Sequence, residues 1–206
     1  MNSEPVSVGI ALFEGFEELD TIGPLEVFGM ASTMTDGLTV ETLAPAHAPD
    51  LVTGTHGLRV RPDTQQTAWH GDILVVPGGG WRDGRVGIRT EIDHGELTGF
   101  LEAHAEDGGT VTSVCTGAMS LAAVGLLDGL PATTHADSMD DLEAAGAIPT
   151  DARVVDTGQV VTAGGVTAGI DLGLWLVERY LDAEVATRVA KRMEYEPRGE
   201  VVVTES

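Results

Sequence analysis

Cysteine and lysine are almost missing from this chain: one of each occurs in 206 residues, Cys115 and Lys191. A single cysteine excludes an intrachain disulfide. The six histidines form no metal-ligand spacing with it along the chain, and Met1-Asn2-Ser3-Glu4-Pro5 carries no signal-peptide pattern. These absences predict a cytoplasmic protein with no metal. No apolar run approaches the ~20 residues that a membrane span requires. Basic residues are scarce as a class, 11 against 33 acidic ones, for a formal net charge of −22. That balance argues against nucleic acid and anionic membrane as partners.

The acids are scattered rather than blocked, and 42% of the residues are hydrophobic. The sequence therefore reads as a folded domain, not an acidic disordered tail. Its length suits one domain with a core that needs no staple. A folded surface with this much self-repulsion suits a salt-rich setting, because the Debye length falls to about 3 Å at 1 M salt.

Strand and helix patterns alternate along the chain. Val6 to Phe13 and Leu38 to Ala44 read as strands, with a helix from Asp20 to Ala31 between them. Residues 51 to 61 form a hairpin pattern around Gly54-Thr55-His56-Gly57. Ile73-Leu74-Val75-Val76 is a continuous apolar strand stopped by Pro77-Gly78-Gly79-Gly80, as expected in a parallel sheet covered on both faces. Leu97, Phe100, Leu101 and His104 fall at helical spacing, and Thr110 to Val114 is a strand running into Cys115. A helix from Thr116 to about Val124, a short strand at Ala132 to His135 and a helix from Asp140 to Ala144 follow. Two strands, Arg153 to Asp156 and Val160 to Ala163, flank Thr157-Gly158. Ile170 to Leu181 is apolar nearly all round, and Asp182 is placed to cap a final amphipathic helix. The sum is a single-domain, doubly wound α/β sandwich.

In such folds ligands bind beyond the carboxyl ends of the strands, where Asp20, Gly79, Cys115 and His135 all fall. Cys115 is a candidate nucleophile because a strand-to-helix junction projects it beside unpaired N–H groups that favour a thiolate; alternatively it is a small buried hydrophobe. Asp20 is either a proton-handling carboxyl, its pKa raised by desolvation, or a helix N-cap. The Gly79 and Thr116 N–H groups are candidate oxyanion donors. His135 is a possible Cys/His partner or a hydrogen-bonded core histidine. Glu17 and Glu18 read as acidic surface. Pro77-Gly78-Gly79-Gly80 lacks the Gly-Lys-Ser/Thr of a phosphate loop, and Gly164-Gly165-Val166-Thr167-Ala168-Gly169 lacks dinucleotide spacing, so no nucleotide cofactor is expected.

Several ordered motifs carry a family resemblance: Phe13 to Phe28, Val76-Pro77-Gly78-Gly79, Ser113-Val114-Cys115-Thr116-Gly117-Ala118, Gly125-Leu126-Leu127-Asp128-Gly129, Ala132-Thr133-Thr134-His135 and Thr162 to Asp171. Together they resemble the ThiJ/PfpI superfamily, most closely its isocyanide hydratase branch. The resemblance implies one class I glutamine amidotransferase-like domain over residues 1–206, flavodoxin-like and homodimeric. It places Cys115 on a nucleophile elbow, Asp20 against its sulfur, and Gly79 and Thr116 in the oxyanion role. Protease-like and glyoxalase-like branches usually have histidine after the cysteine; here Thr116 follows, and the acid is Asp rather than Glu. The implied reaction is hydration of a small-molecule isocyanide to an N-substituted formamide with no cofactor. The same signatures resemble amidase-like sensor domains of transcription regulators, although no DNA-binding module follows Ser206. A non-catalytic ligand or oxidative-stress sensor and a glyoxalase or deglycase are the alternatives.

Self-repulsion at this net charge should show in the salt dependence of stability. Thermal melting in potassium chloride should rise between low and molar salt; a flat melting point would show that self-repulsion does not limit stability.

Overall fold

A computed structural model describes residues 5–204; Met1 to Glu4, part of the segment read as carrying no leader, lie outside them. The elements in chain order are β1 (Val6–Ala11), α1 (Glu18–Met34), β2 (Leu38–Ala44), β3 (Val52–Thr53), β4 (Arg59–Val60), β5 (Thr64–Gln65) and β6 (Ile73–Val76). Next come α2 (Ile88–His94), α3 (Glu96–Glu106), β7 (Thr110–Val114), α4 (Ala118–Ala123), β8 (Pro131–Ala132), α5 (Met139–Ala144) and β9 (Ile148–Pro149). The chain continues with β10 (Val154–Asp156), β11 (Val160–Ala163), α6 (Ala168–Tyr180), α7 (Ala183–Arg192) and β12 (Val201–Val203). Among the described residues, eight strands form one sheet in the order β12-β10-β11-β7-β6-β1-β2-β5. Every neighbouring pair is parallel except β10 with β11. The fold is the expected flavodoxin-like, mostly parallel α/β sandwich.

The apolar runs explain the layering. Along β6, Ile73 and Val75 join the core under α1, α6 and α7, whereas Leu74 and Val76 join the opposite core with α3 and α4. Both sets are fully buried, so a strand with no polar face is what a two-sided sheet selects. The hairpin expected within residues 51–61 is present as β3 paired antiparallel with β4. Asp182 caps α7 by accepting the Val185 N–H at 2.8 Å.

The structure corrects four local expectations. Helix α1 starts at Glu18 with Glu17 at its cap position, so Asp20 lies in the first turn and is not an N-cap. Pro24 sits inside α1 and leaves the Asp20 carbonyl without its usual helical donor. The strand expected to reach His135 stops at Ala132, because the Thr133 N–H turns to the Thr162 hydroxyl at 2.9 Å. Cys115 adopts φ 58°, so α4 begins at Ala118 after a single tight turn. Helix α2, absent from the sequence reading, begins where the Ile88 N–H meets the Gly79 carbonyl at 2.8 Å; β5, β9 and β12 are two or three residues long, too short for a periodic signal.

Close α1–α6 packing is tested by two glycines. A Cβ on Gly173 would lie 2.9 Å from Val27 Cβ, whereas one on Gly29 would meet nothing within 4 Å. Gly29→Ala should stabilise by about 0.5–1 kcal/mol through helix propensity. Gly173→Ala should instead lose up to about 2 kcal/mol, since overpacking costs roughly 1–3 kcal/mol. Urea unfolding of both variants reads the difference, and equal shifts would show a loose interface.

Candidate active site

Strand β7 delivers Cys115 to the carboxyl edge of the sheet, and the turn that follows bends it into a left-handed conformation, φ 58°. Such a conformation costs a non-glycine residue on the order of 1–3 kcal/mol. Its surroundings impose it: the Cys115 N–H donates to the Gly164 carbonyl at 3.0 Å, and its carbonyl accepts the Thr134 hydroxyl at 2.7 Å. This is the geometry of a nucleophile elbow.

Asp20 approaches from α1. Its side chain is fully buried, and Oδ2 accepts the Gly78 N–H at 2.9 Å. Oδ1 makes no regular hydrogen bond, but the Cys115 thiol and the Val166 N–H both act on the carboxyl from close by. Burial raises the Asp20 pKa to about 8; the Gly78 N–H opposes this and the Glu17 charge adds to it. Gly78 must lack a side chain here, because a Cβ would lie 2.5 Å from the Thr116 hydroxyl and 3.0 Å from Asp20 Oδ2.

Burial also pushes the Cys115 thiol up, and the Asp20 carboxylate reinforces the shift. The expectation that a helix start favours the thiolate is thus reversed in sign: the N–H groups of Thr116 and Val166 pull the pKa down, but desolvation outweighs them. With both groups raised, the pair binds protons tightly, and the carboxyl gives up the first one because the thiol is held higher still.

Not every predicted residue points where the sequence suggested. The Gly79 N–H donates to the Thr116 hydroxyl at 3.1 Å, so it serves that side chain rather than open space. The second amide at the sulfur is that of Val166, which the sequence reading did not single out. Val166 is itself at φ 50°, a rare state for a β-branched residue. The glycine run before it gave only a weak signal of close backbone approach. His135 accepts the Asp137 N–H at 3.2 Å and makes no hydrogen bond to Cys115 among the described residues, yet it lines the same pocket.

That pocket holds about 240 Å3 and is lined by Cys115, Thr116, Gly79, Val166 and His135 together with Glu17 and Trp81. A larger hollow of about 560 Å3 lies by Trp69, Phe100 and His104, but it contains no nucleophile. Glu17 and Glu18 are not free surface. Glu17 lines the pocket and its pKa is raised by burial, with His56 opposing; Glu18 accepts the His56 ring Nδ1 at 2.7 Å and anchors the β3–β4 hairpin. Trp81 and Arg82, which also line the pocket, are held by Asp141, which accepts the Trp81 Nε1–H at 2.7 Å and the Arg82 Nε–H at 2.8 Å.

A strained cysteine at the carboxyl edge of a flavodoxin-like sheet, against a buried carboxyl, defines a class of α/β proteins built on a nucleophile elbow. The chain belongs to the DJ-1/PfpI family, whose profile matches residues 6–179. It is 35% identical over 193 residues to the isonitrile hydratase of Pseudomonas putida, a match covering 93% of this chain and 79% of that protein. A solved ThiJ/PfpI family protein from Pseudomonas syringae superposes with a TM-score of 0.82 at 32% identity, covering 94% of this chain and 76% of the other. The HTH-type transcriptional regulator GbdR of Pseudomonas aeruginosa is 29% identical over 203 residues, which are 95% of this chain but 52% of the regulator. This chain thus spans about half of the regulator's length.

The raised Asp20 pKa makes stability depend on pH. Between the ordinary carboxylate value of 3.8 and about 8, the folded protein keeps a proton that the unfolded chain has lost. Stability therefore falls as pH rises through that window and levels off above it. Asp20→Asn removes this titration. The variant should gain on the wild type by roughly 1–3 kcal/mol between about pH 5 and about pH 8, the gain being limited by its altered hydrogen bonds. Urea melts across that range measure it, and parallel profiles would show a carboxyl that titrates normally.

Proposed function

We propose that this protein hydrates small isocyanides to N-substituted formamides. The observation that carries the reading is the fully buried Asp20 carboxyl, with its pKa at about 8, beside the Cys115 thiol. Thr116 in place of a histidine after the cysteine and the likeness to an isonitrile hydratase support it.

For attack the pair gives up one proton, and the one that remains moves from the raised Cys115 thiol to Asp20 as the sulfur becomes the nucleophile. The Cys115 thiolate attacks the terminal isocyanide carbon, forming a C–S bond, and Asp20 gives its proton to that carbon. The product is a thioimidate, R–N=CH–S, and a carboxylate. Asp20 next takes a proton from water as hydroxide adds to the carbon, and passes that proton to nitrogen. Finally the hydroxyl proton returns to Asp20, the C–S bond breaks toward sulfur, and R–NH–CHO leaves. Thiolate and protonated acid are restored, and the sum is isocyanide plus water giving formamide. The Thr116 and Val166 N–H groups stabilise the sulfur anion, and no step requires a cofactor. Gly79, through the Thr116 hydroxyl, positions the first of these amides. His135 borders the substrate without handling its proton.

A second reading is a ligand or oxidation sensor without turnover, favoured by the regulator that matches nearly the whole chain. A buried, activatable thiol is open to oxidation once it is ionised. With the hydratase reading we also place a homodimer in the cytoplasm of a salt-rich cell; the exposed Leu51 and Leu58 beside the β3–β4 hairpin suit such an interface. No helix among the described residues is long and apolar enough to cross a membrane.

Purified protein in high salt should turn over a simple alkyl or aryl isocyanide. Cys115→Ala and Asp20→Asn should each reduce kcat/KM by at least ~100-fold, in line with the usual share of a nucleophile or general acid, while His135→Ala should stay within a few-fold. Absence of turnover, with sulfinate forming selectively at Cys115, would instead establish the sensor. Methylglyoxal consumption in a parallel assay would establish glyoxalase-like chemistry.

A further inference from the structure

Outside the cysteine pocket, the fold gathers His47, Glu91 and His94, residues with no ligand spacing along the chain. His47 follows β2, and Glu91 and His94 stand one helical turn apart on α2. His47 Nε2 lies 3.2 Å from His94 Nδ1 and 3.3 Å from Glu91 Oε2, and His94 Nδ1 lies 3.7 Å from Glu91 Oε1. One ligand atom from each residue falls within 4.8 Å of the others. Bonds of about 2.0–2.1 Å to a tetrahedral zinc ion separate its ligand atoms by about 3.3 Å. The side chains already stand at nearly that spacing.

Two further features point to a cation. Glu91 is 3% exposed, and its Oε2 has no regular hydrogen bond, although it lies 3.3 Å from His47 Nε2; a buried carboxylate oxygen without a regular partner is costly. His47 is also oriented from behind. Its Nδ1 lies 2.8 Å from Glu96 Oε2, and Glu96 Oε1 itself accepts the Ala46 N–H and, at 3.4 Å, the Gln66 side-chain amide. A proton on Nδ1, donated to Glu96, leaves the Nε2 lone pair facing His94 and Glu91. Carboxylate–histidine–metal relays are built in this way.

We infer that His47, Glu91 and His94 form a binding site for a zinc-class divalent cation, with Glu96 orienting His47. Two nitrogens and one oxygen suit zinc or cobalt better than the all-oxygen preference of magnesium or calcium. The histidines are partly exposed, at 37% and 50% of their side chains, so the ion can enter and a water can take the fourth position. Bound there, it would clamp α2 to the segment after β2. Because α2 starts at the Gly79 carbonyl, the clamp would brace the loop that carries Trp81 and Arg82 into the cysteine pocket. The inference does not depend on which reaction Cys115 performs. Glu17, Glu18 and His56 form a second cluster, but His56 Nδ1 is already committed to Glu18 at 2.7 Å, and none of these three has an orphaned buried oxygen.

The full chain, stripped with EDTA, should bind one equivalent of Zn2+ in a calorimetric titration run with excess Mg2+ and potassium chloride. Co2+ should give a tetrahedral visible spectrum. His47→Ala and His94→Ala should each weaken binding at least ~10-fold and abolish the cobalt band, as loss of a ligand does more than the 10–100-fold cost of losing a supporting residue. Because His94 is half exposed, its variant should fold, which circular dichroism checks. His56→Ala and Cys115→Ala should retain the full equivalent. No saturable binding, binding unchanged in both histidine variants, or binding lost equally in His56→Ala would overturn the site.

Discussion

The hydrogen bond from the Gly78 N–H to Asp20 Oδ2 is the constraint on which the cysteine pocket depends. It joins the first turn of α1 to the end of β6 and places a carboxyl where no water reaches it. Burial then raises both Asp20 and Cys115, so each becomes a proton store that the other can draw on. A carboxylate at the same place on an exposed loop would titrate normally and donate no proton near neutrality. The raised pKa is therefore a property of packing: α1 must lie close to the sheet, and Gly78 must be bare, before Asp20 can hold its proton toward neutrality.

Strain is placed beside that bond. Cys115 and Val166 both occupy left-handed backbone conformations, and each is fixed by the same loop. The Gly164 carbonyl receives the Cys115 N–H, and two residues later the Val166 N–H faces the sulfur and the carboxyl. These costs, on the order of 1–3 kcal/mol each, are offset by a sheet buried on both faces. The few basic residues contribute elsewhere in the frame. Arg153 meets the buried Asp171, and Arg179 meets the buried Asp156 at 2.9 Å, so scarce positive charge neutralises acids that solvent cannot screen.

Much of this was legible in the residues. The apolar run Ile73 to Val76 announces a two-sided parallel sheet, and Cys115 at the end of Thr110 to Val114 announces a junction at the sheet edge, because both signals are local; the elbow itself is implied by the family resemblance. Asp20 was legible as a buried acid only with its alternative as a cap, which required the true start of α1 to decide. Four features were not legible. The Val166 amide acts through backbone conformation, which residue type hides. Glu17 reads as surface until the hairpin folds over it. The Gly79 N–H reads as an oxyanion donor, because the Thr116 hydroxyl that captures it is 37 residues away. His47 stands 44 residues before Glu91, so spacing rules that search along the chain pass over the pair.

The close fit of Gly78 against Thr116 limits what position 116 can hold. The Thr116 hydroxyl fills the space between the Gly78 backbone and the Gly79 N–H, and the residue is nearly buried. A larger side chain at position 116 would have to displace both the bond it replaces and the backbone that supports Asp20. A single substitution at position 116 would therefore disturb the Gly78 backbone and the Gly79 N–H together.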